Sequence, residues 1–259
     1  MDNWQVPSYT VHFEGRKSHR YCLIIPVINE GERIQSQLKR THELGIHKKL
    51  DIIIVDGGST DGSLEKDFLT SVGVETLIEK TDPGKLSAQL RCGYSYALQK
   101  GYAGIITIDG NNKDDPQDIP KFIGALEANV DFAQASRFLP GGYAENTPLS
   151  RYIAIRALHA PLLHLCSGFP WSDTTQGFRA YSARMLLDDR IQPFRDIFVG
   201  YELLAYLSYR VPKVGFQCIE LPTTRIYPKG EIPTKISALQ GNWNVFKILI
   251  EACTGQYNP

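Results

Sequence analysis

Acidic and amide side chains crowd the segment that follows one apolar run, GIITIDGNNKDDP, at residues 104–116. The run ends at Asp109, and two asparagines, a lysine and two more aspartates follow before the proline. Carboxylates at the end of a buried strand hold a metal ion or a polar ligand in many proteins. The middle positions, Asn111 and Asn112, carry no charge. Three hypotheses are open at this point: a metal-dependent enzyme, a variant of one, or a binding protein.

A second polar segment, VDGGSTDGS at residues 55–63, also follows an apolar run. Asp56 ends the run, two glycines permit a tight turn, and Ser59, Thr60 and Asp61 can cap the helix that comes next. One interpretation is a plain junction between a strand and a helix. The other is a nucleotide pocket, in which Asp56 accepts hydrogen bonds from a base or a ribose while the glycines let the backbone approach the ligand.

Two further segments are weaker signals for a ligand. PVINE ends the first apolar run with Pro26 and Glu30, although Asn29 within it also suits a helix cap. DPGKL places Lys85 at the start of a predicted helix, where its side chain and the backbone N–H groups could face a phosphate. The spacing is not that of a Walker phosphate loop. A plain helix start is therefore the simpler interpretation of Lys85.

Five apolar runs of strand length alternate with helix patterns in the first half of the chain. The runs lie at 21–27, 50–56, 74–80, 102–109 and 130–138, and the helix patterns at 29–44, 58–71, 84–101 and 116–128. Continuous apolar strands between helices indicate a parallel sheet covered on both faces, so the predicted class is α/β. Ligands bind at the carboxyl ends of such strands, where the polar segments described above lie.

The pattern changes after residue 139. Loops are predicted at 139–151 and 169–182, helices at 152–168, 202–210 and 235–252, and a strand at 214–221. No linker or repeat separates the two parts, so we predict a single domain with a strand-rich half at about 20–138 and a more helical half at about 139–259. The last helix repeats apolar residues from Ile236 to Ile250, so it either packs on the domain or lies on a membrane surface.

Composition limits the function further. The 28 Lys and Arg residues balance the 28 Asp and Glu residues, which argues against a nucleic acid as the partner. Five scattered cysteines without a CxxC pair indicate reduced thiols in a cytosolic protein. No secretion signal opens the chain, and no apolar stretch approaches the roughly 20 residues that span a bilayer. We expect a cytoplasmic protein, soluble or peripheral to a membrane.

Seven of these segments occur together in the order typical of one enzyme family. They are PVINE, VDGGSTDGS, the Gly-Lys helix start, IDGNNKDDP, ASRF, DTTQGFRAYS and YELLAYLSYR, and they extend over about residues 20–235. The set resembles the family-two glycosyltransferases of the GT-A fold, and within them the polyprenyl- or dolichol-phosphate mannosyltransferase branch. The resemblance implies a Rossmann-like, mostly parallel sheet flanked by helices, with a helical acceptor-side part. It also implies inverting transfer of a sugar from a nucleoside-diphosphate sugar to a polyprenyl phosphate or a cell-envelope saccharide.

The resemblance assigns the strand-rich half to the sugar donor. Asp109 and Asn111 match the two positions of the family's Asp-x-Asp metal motif, so Asn111 replaces an aspartate. A neutral carbonyl oxygen still suits a hard cation, and we expect Mg²⁺ or Mn²⁺ to bind weakly here. Asp114 and Asp115 either add charge to this site or cap the next helix, and for Asp114 we predict the cap. The implied donor-binding residues are Pro26, Asn29, Glu30, Asp56, Gly58, Ser59, Lys85, Asp109, Gly110 and Asn111.

The resemblance assigns the second half to the acceptor. The implied acceptor- and phosphate-binding residues are Arg137, Gln176, Arg179, Glu202, Arg225 and Lys235, and planar guanidinium groups suit phosphate oxygens. The implied catalytic residues are Asp109, Asp173, Arg137 and Arg179. A phosphate acceptor needs no general base, whereas a hydroxyl acceptor does. For a hydroxyl, Asp173 is the first candidate base and Glu202 the second, although each also suits a capping role.

Two other functions are weighed against transfer. A nucleotidyltransferase would share the nucleotide-binding half, but such enzymes usually open with a Gly-rich basic loop, and PVINEGER has a single glycine. A sugar-nucleotide-binding regulator would have lost catalysis with the second aspartate of the metal motif. The sequence predicts neither the donor base nor an oligomeric state. Because lipid-phosphate enzymes often carry membrane helices, a lipid acceptor here would require docking through the last helix, or a membrane partner, at the inner face of the membrane.

Overall fold

A computed structural model describes residues 3–229 and 240–259 of the chain. The strands of the described residues are β1 Tyr9–Glu14, β2 Tyr21–Val27, β3 Asp51–Asp56, β4 Val74–Lys80, β5 Gly104–Thr107, β6 Phe132–Ser136, β7 Tyr143–Glu145, β8 Arg179–Ser182, β9 Cys218–Pro222 and β10 Thr224–Ile226. Their α-helices are α1 Glu32–Glu43, α2 Lys66–Ser71, α3 Leu86–Gln99, α4 Ile119–Glu127, α5 Leu149–Ala154, α6 Ala160–Ser167, α7 Ala183–Leu186, α8 Glu202–Lys213 and α9 Gln240–Cys253. Eight strands form one sheet in the order β1-β4-β3-β2-β5-β8-β6-β9, and β7 pairs with β10.

The centre of the large sheet is built from strands that are buried on both faces. β2, β3 and β5 lie side by side in parallel, and nearly all their residues are buried. Six of the eight strands run in one direction, while β1 and β8 run against it. The predicted mostly parallel α/β sheet is thus confirmed, and the strands predicted at 21–27 and 74–80 have those bounds.

Helices cover both faces of this sheet, because its buried strands present apolar side chains on both sides. α3, α6, α8 and α9 contribute to the core on one face, and α1, α2 and α4 to the core on the other. The described part of α9 packs through Leu249 and Ala252, which are buried. Packing on the domain, one of the two alternatives for this helix, is therefore observed; Ile236 and Leu239 of its predicted apolar stripe lie outside the described residues.

The sequence patterns missed the two strands that run against the others. β1 is an edge strand with mostly exposed side chains, and it pairs antiparallel with β4. β8 has four residues, too few to show a periodicity, and it lies within the loop predicted at 169–182. It nevertheless fills the position between β5 and β6, pairing antiparallel with both. The loop predicted at 139–151 likewise contains β7 and the start of α5.

The small β7–β10 pair brings the second half of the chain against the polar segment that follows β5. Ile226 donates its N–H to the carbonyl of Lys113 at 2.8 Å, and Asp115 donates to the carbonyl of Thr224 at 3.2 Å. A single antiparallel bridge joins Asp114 to Arg225 between these contacts. Residues separated by more than one hundred positions are thereby fixed next to one another at the carboxyl edge of the sheet.

Candidate active site

The loops that follow β2 and β3 form one surface, here called the donor edge, at residues 26–30 and 56–61. Asp56 is buried at the end of β3, and its carboxylate accepts the Ser59 hydroxyl at 2.6 Å and the Ser59 N–H at 3.0 Å. The Asn29 N–H donates to the Ser59 hydroxyl oxygen at 3.0 Å, and the Asn29 side-chain oxygen accepts the Thr60 N–H at 2.8 Å. The structure therefore brings Asn29, Asp56 and Ser59 together, as the donor-site prediction requires.

The remaining donor-edge residues flank this network. Pro26 lies in β2 opposite Val55, and the Glu30 carboxylate accepts the Arg33 Nε–H at 3.1 Å. Gly58 has a φ of 96°, a left-handed conformation that favours glycine and shapes the turn. α3 also holds these loops in place, because the Gln89 side-chain amide donates to the carbonyls of Val27 in β2 and Val55 in β3.

Lys85 lies at the start of α3, but the helix end is not an open anion site. Its backbone N–H donates to the carbonyl of Val199 at 2.9 Å, and the Ser87 N–H donates to the carbonyl of Gly200 at 2.7 Å. These bonds satisfy donors that a phosphate would otherwise use. Of the two interpretations of Lys85, the plain helix start fits the backbone, and the Lys85 side chain is exposed.

Asp109 lies just beyond β5, where it meets the second half of the chain. One carboxylate oxygen accepts an Arg225 N–H at 3.3 Å, and the side chain keeps 22% of its surface exposed. The other oxygen lies against Gly177, where an added Cβ would come within 2.1 Å of it. Gly110 is similarly close to the carbonyl of Pro26, at 3.1 Å from where its Cβ would lie. Asp109 thus packs against the loop that leads into β8, and the adjacent Gly110 packs against β2.

The prediction that Asp114 caps the following helix is wrong. Asp115 is the cap, because its carboxylate accepts the Gln117 N–H at 3.0 Å. Asp114 is instead fully buried and forms an ion pair with Arg225. Burial raises the pKa of the Asp114 carboxyl, and the Arg225 charge opposes that rise. The side-chain oxygen of Asn111 is directed into its own loop and accepts the Lys113 N–H at 3.2 Å.

Arg225 connects the two aspartates. Its guanidinium is buried and donates to both Asp109 and Asp114. Burial by itself lowers the pKa of this guanidinium, but the carboxylates of Asp114 and Asp109 outweigh burial and raise the pKa well above its ordinary value. Arg225 therefore provides a fixed positive charge beside the predicted metal position.

Four basic side chains surround the ring of Tyr227, and we call them the cationic cluster. Their charged groups lie 5.0 to 5.9 Å from the ring centre, and the four are Lys113, Arg137, Arg151 and Arg225. The Tyr227 hydroxyl oxygen accepts from Arg151 at 3.0 Å and from Arg137 at 3.3 Å. Burial raises the pKa of this phenol, but Arg225, Arg137 and Arg151 outweigh it and lower the pKa to about 7.

The sequence prediction included Arg137 and Arg225 but missed Lys113, Arg151 and Tyr227. One signal was available, because Arg225 and Tyr227 alternate along the chain and so share a face of an extended segment. No local pattern pointed to Arg151, which reaches Tyr227 from 76 positions away.

Arg137 is held by a second buried carboxylate. Its Nε–H donates to Asp173 at 2.7 Å, and the Gln176 side-chain amide donates to the same carboxylate at 2.6 Å. The backbone N–H of Asp173 in turn donates to Glu220 at 2.9 Å. Asp173 and Gln176 are therefore placed beside the cluster, but the Asp173 carboxylate is fully buried and already engaged, unlike a free general base.

The other predicted acceptor residues lie elsewhere. Arg179 is fully buried, and it donates to the carbonyls of Gln176, Leu204 and Thr174 at 2.8 to 3.0 Å. This placement differs from the predicted contact with a phosphate. Glu202 accepts the Gly200 N–H at 2.5 Å, which is the helix-start role weighed as its alternative. Lys235 lies outside the described residues.

The donor set at Asp109 and Asn111 suits an ion only in part. In residues 3–229 and 240–259 no group of three His, Cys, Asp or Glu side chains could hold a metal. Asp109 offers a partly exposed carboxylate and Asn111 a neutral oxygen, so most ligands of a bound ion would come from elsewhere. Mg²⁺ is commonly held in this way, by one or two protein oxygens together with substrate phosphates. The residues present therefore fit a weakly bound divalent ion.

Comparison with known families decides among the possible functions. Residues 22–188, well over half of the chain, match the model described as Glycosyl transferase family 2. The chain belongs to glycosyl transferase family 2. It is therefore a glycosyltransferase, and the family membership decides against the nucleotidyltransferase alternative.

Among its relatives in this family is a polyprenol monophosphomannose synthase from Mycolicibacterium smegmatis, 27% identical over 81% of this chain and 78% of that protein. The undecaprenyl-phosphate mannosyltransferase of Micrococcus luteus is 27% identical over 79% of this chain and 83% of that protein. The dolichol-phosphate mannosyltransferase of Pyrococcus furiosus is 30% identical over 83% of this chain and 59% of that protein. The predicted resemblance to this branch is confirmed.

Solved structures show the fold. A glucosyl-3-phosphoglycerate synthase from Mycobacterium tuberculosis, solved with Mn²⁺, UDP and glucosyl-3-phosphoglycerate, aligns with a TM-score of 0.61 at 16% identity, over 91% of this chain and 79% of that one. A mannosyl-3-phosphoglycerate synthase from Rubrobacter xylanophilus aligns with a TM-score of 0.63 at 14% identity, over 91% and 73%. The GT-A-like fold of this glycosyltransferase is confirmed by these alignments.

Proposed function

We propose that this glycosyltransferase moves a sugar, with inversion, from a nucleoside-diphosphate sugar to a polyprenyl phosphate. The observation that carries the proposal is the cationic cluster around Tyr227, which lies beside Asp109 at the carboxyl edge of the sheet. The names of two relatives, a polyprenol monophosphomannose synthase and an undecaprenyl-phosphate mannosyltransferase, support a phosphorylated lipid as acceptor and mannose as the sugar. A cell-envelope saccharide is the second acceptor class.

Charge favours the phosphate over the saccharide. Lys113, Arg137 and Arg151 lie together around one phenol, which is a concentration of positive charge that a neutral hydroxyl acceptor would not need. A hydroxyl would also require a general base within hydrogen-bond distance. The carboxylates of Asp173 and Glu202 are both engaged by other groups. We therefore assign Asp173, with Gln176 and Arg179, to positioning Arg137 and the surrounding loop.

The donor would bind along the donor edge. Asp56, with Pro26, Asn29, Glu30, Gly58 and Ser59, would hold the nucleoside, and the exposed Lys85 side chain would meet the diphosphate. Asp109 and Asn111 would hold a Mg²⁺ or Mn²⁺ ion, which would supply positive charge to the diphosphate, and Gly110 would line the donor site between them. Arg225 supplies part of the same charge from the chain itself, which is consistent with a weak requirement for the ion.

Transfer would then proceed by a single displacement. An anionic oxygen of the acceptor phosphate attacks the anomeric carbon of the sugar from the face opposite the leaving group. The bond from that carbon to the diphosphate oxygen breaks, and the nucleoside diphosphate departs with the electron pair. No proton changes place, so the work of the chain is to orient the two anions and to neutralise their charge.

We further propose where the protein acts. The two halves, about 20–138 for the donor and 139–259 for the acceptor, would work as one domain on the cytoplasmic side. None of the helices in the described ranges is long and apolar enough to span a bilayer. We propose that a lipid acceptor is reached by peripheral contact with the inner face of the membrane or through a membrane partner.

A donor screen tests the proposal. Protection against thermal unfolding is measured with UDP-, GDP-, CDP- and dTDP-sugars, with and without Mn²⁺, and transfer to a polyprenyl phosphate is measured with the donor that protects. Protection by one nucleotide followed by transfer supports the proposal. Tight binding without transfer to either acceptor class would favour the sugar-nucleotide-binding regulator. Protection by none of the donors would contradict the donor-edge assignment.

A further inference from the structure

The segment from Leu149 to Ser167 presents an unusually apolar surface to solvent. It consists of α5, one π-helical turn at Ile155–His159, and α6. Leu149 is 72% exposed, Ile153 is 52% exposed and Leu165 is 81% exposed. Tyr152 and Leu158 are also exposed. Single exposed apolar residues are normal on a protein surface, but five large ones within a single helical segment indicate a surface that contacts something apolar.

The charge on this segment has one sign. Residues 146–172 contain no aspartate or glutamate, but they contain Arg151 and Arg156. Solvent-exposed helices of soluble proteins ordinarily mix both signs, because charged residues keep them hydrated. Apolar residues interspersed with arginines, without acidic residues, are typical of helices that lie in the surface of a bilayer with anionic lipids.

This surface is continuous with the cationic cluster. Arg151, on α5, donates to the hydroxyl of Tyr227 inside the cluster. Tyr152 packs edge-on against Phe138 with ring centres 5.4 Å apart, and the Arg156 guanidinium lies 5.5 Å from the same ring. Phe138 directly follows Arg137 in the chain. A bilayer that contacted the exposed residues would therefore bring lipid phosphates to the depth of the cluster.

We propose that Leu149–Ser167 is the membrane-docking surface of this protein, and that its partner is the surface of a bilayer that contains anionic lipids. The inference rests on the proposed polyprenyl-phosphate acceptor, because docking there would present the acceptor phosphate to Arg137 and Arg151. It replaces α9 in the docking role that the sequence considered. α9 packs on the domain through Leu249. Its Trp243 is 65% exposed and is the alternative site of membrane contact that the experiment has to test.

Vesicle co-sedimentation without donor or acceptor tests the surface directly. The full chain is mixed with vesicles of phosphatidylcholine alone or with added phosphatidylglycerol. We expect binding to the anionic vesicles that weakens with salt, since arginine contributes to it. The double variant Leu149→Gln, Ile153→Gln, here called the α5 variant, should lower the partition coefficient at least about tenfold. The reason is that two apolar side chains that would leave water on binding have been replaced by polar ones. Arg156→Gln should flatten the salt dependence.

A matched control separates the surface from general apolar exposure. Leu187 and Ile197 are 47% and 43% exposed outside the segment, so Leu187→Gln, Ile197→Gln should leave binding unchanged. Equal losses in both double variants would overturn the proposal, as would failure of the unaltered protein to bind anionic vesicles. A loss of binding in Trp243→Gln but not in the α5 variant would assign docking to α9 and overturn it too.

A second measurement distinguishes failure of docking from failure of the proposed function. Transfer is measured to a short, water-soluble polyprenyl phosphate and to a long one embedded in vesicles. For the short acceptor, the α5 variant should have the same kcat/KM as the unaltered protein. For the embedded acceptor, its kcat/KM should be about tenfold lower than that of the unaltered protein. Vesicle binding without transfer to either acceptor would contradict the proposed function alone. Transfer to both with equal loss, or with no loss, would contradict the docking surface alone.

Discussion

The donor edge and the cationic cluster lie at the same edge of the sheet but are built differently. The donor edge joins two loops about 30 positions apart through hydrogen bonds between short polar side chains and backbone groups. The cluster joins residues more than one hundred positions apart, from Lys113 to Arg225, and Arg225 forms a buried ion pair with Asp114. Loops tied by neutral hydrogen bonds tolerate change, whereas a buried charge that loses its partner is strongly destabilising. The comparison predicts that stability depends on the cluster and that activity depends on both.

The largest effect on stability is expected for Arg225→Gln. Removing the guanidinium leaves the fully buried Asp114 carboxylate without its cation, so the free energy of unfolding should fall by about 3–5 kcal/mol. Urea denaturation measures this loss. The double variant Asp114→Asn, Arg225→Gln removes both charges and should recover part of it. A single variant as stable as the unaltered protein would contradict the role given to this ion pair.

The largest effect on catalysis without a loss of fold is expected for Asp109→Asn. The variant keeps the shape of the side chain but removes its charge from the donor diphosphate and its ion, so kcat should fall about 100- to 1,000-fold. Steady-state transfer assays at saturating Mn²⁺ measure the change. Asp115→Asn is the matched control, because Asp115 caps the next helix and contacts Arg40. Similar losses in both variants would show that any carboxylate of this segment has the same effect.

A smaller, pH-dependent effect is expected for Tyr227→Phe. The pKa of Tyr227 is lowered in the folded protein to about 7. A lowered pKa stabilises the fold above the unfolded value of about 10, and this stabilisation is lost as the pH falls through the folded value. The unaltered protein should therefore gain roughly 2–3 kcal/mol of stability over the variant between about pH 6 and pH 9.

Urea denaturation at several pH values measures this difference. Tyr143→Phe is the control, since Tyr143 is an exposed tyrosine on β7 whose pKa is raised by its hydrogen bond to Glu145. Its difference from the unaltered protein should stay flat over the same range. A Tyr227→Phe difference that is equally flat would mean that the cluster does not hold a phenolate.

The smallest effect is expected for Asn111→Asp at the predicted ion site. A second carboxylate adds charge to the ion site, so the Mn²⁺ concentration that half-saturates transfer should fall by about 3- to 10-fold. Metal titration of the transfer rate measures it, with Asn112→Asp as the control one residue away. An unchanged titration would indicate that the oxygen of Asn111 remains bonded to the Lys113 N–H when the ion binds.

The donor edge could be predicted from the sequence because each part of it is local. Strands such as 21–27 are continuous apolar runs, and parallel strands bring their carboxyl ends to one edge, so Asn29, Asp56 and Asp109 had to approach one another. The order of the strands in the sheet therefore determined that the loops after β2, β3 and β5 lie next to one another. The positions of single oxygens were not determined in this way, which is why the sequence predicted Asp114 as the helix cap, whereas the structure shows that Asp115 is the cap.

The cationic cluster and the residues around it were less predictable because their contacts are long-range. A buried arginine and an exposed one look alike in a sequence, and only packing distinguishes Arg137, beside Tyr227, from Arg179, which holds three backbone carbonyls. β8 is too short to leave a periodic pattern. Arg151 and Tyr227 meet only because the β7–β10 pair closes, and no local signal specifies that pairing.

The position of β8 has a consequence for how the chain can be made. β6 is bordered by β8 and β9, which both come from later in the sequence, so a growing chain that ends near residue 138 leaves β6 without a neighbour. The edge of β5 stays open for the same reason until residue 182 has been added. An unpaired apolar edge attracts other chains. The order of synthesis therefore makes the β5-β8-β6-β9 end the last part of the sheet to close, and there a nascent or truncated chain is exposed to aggregation.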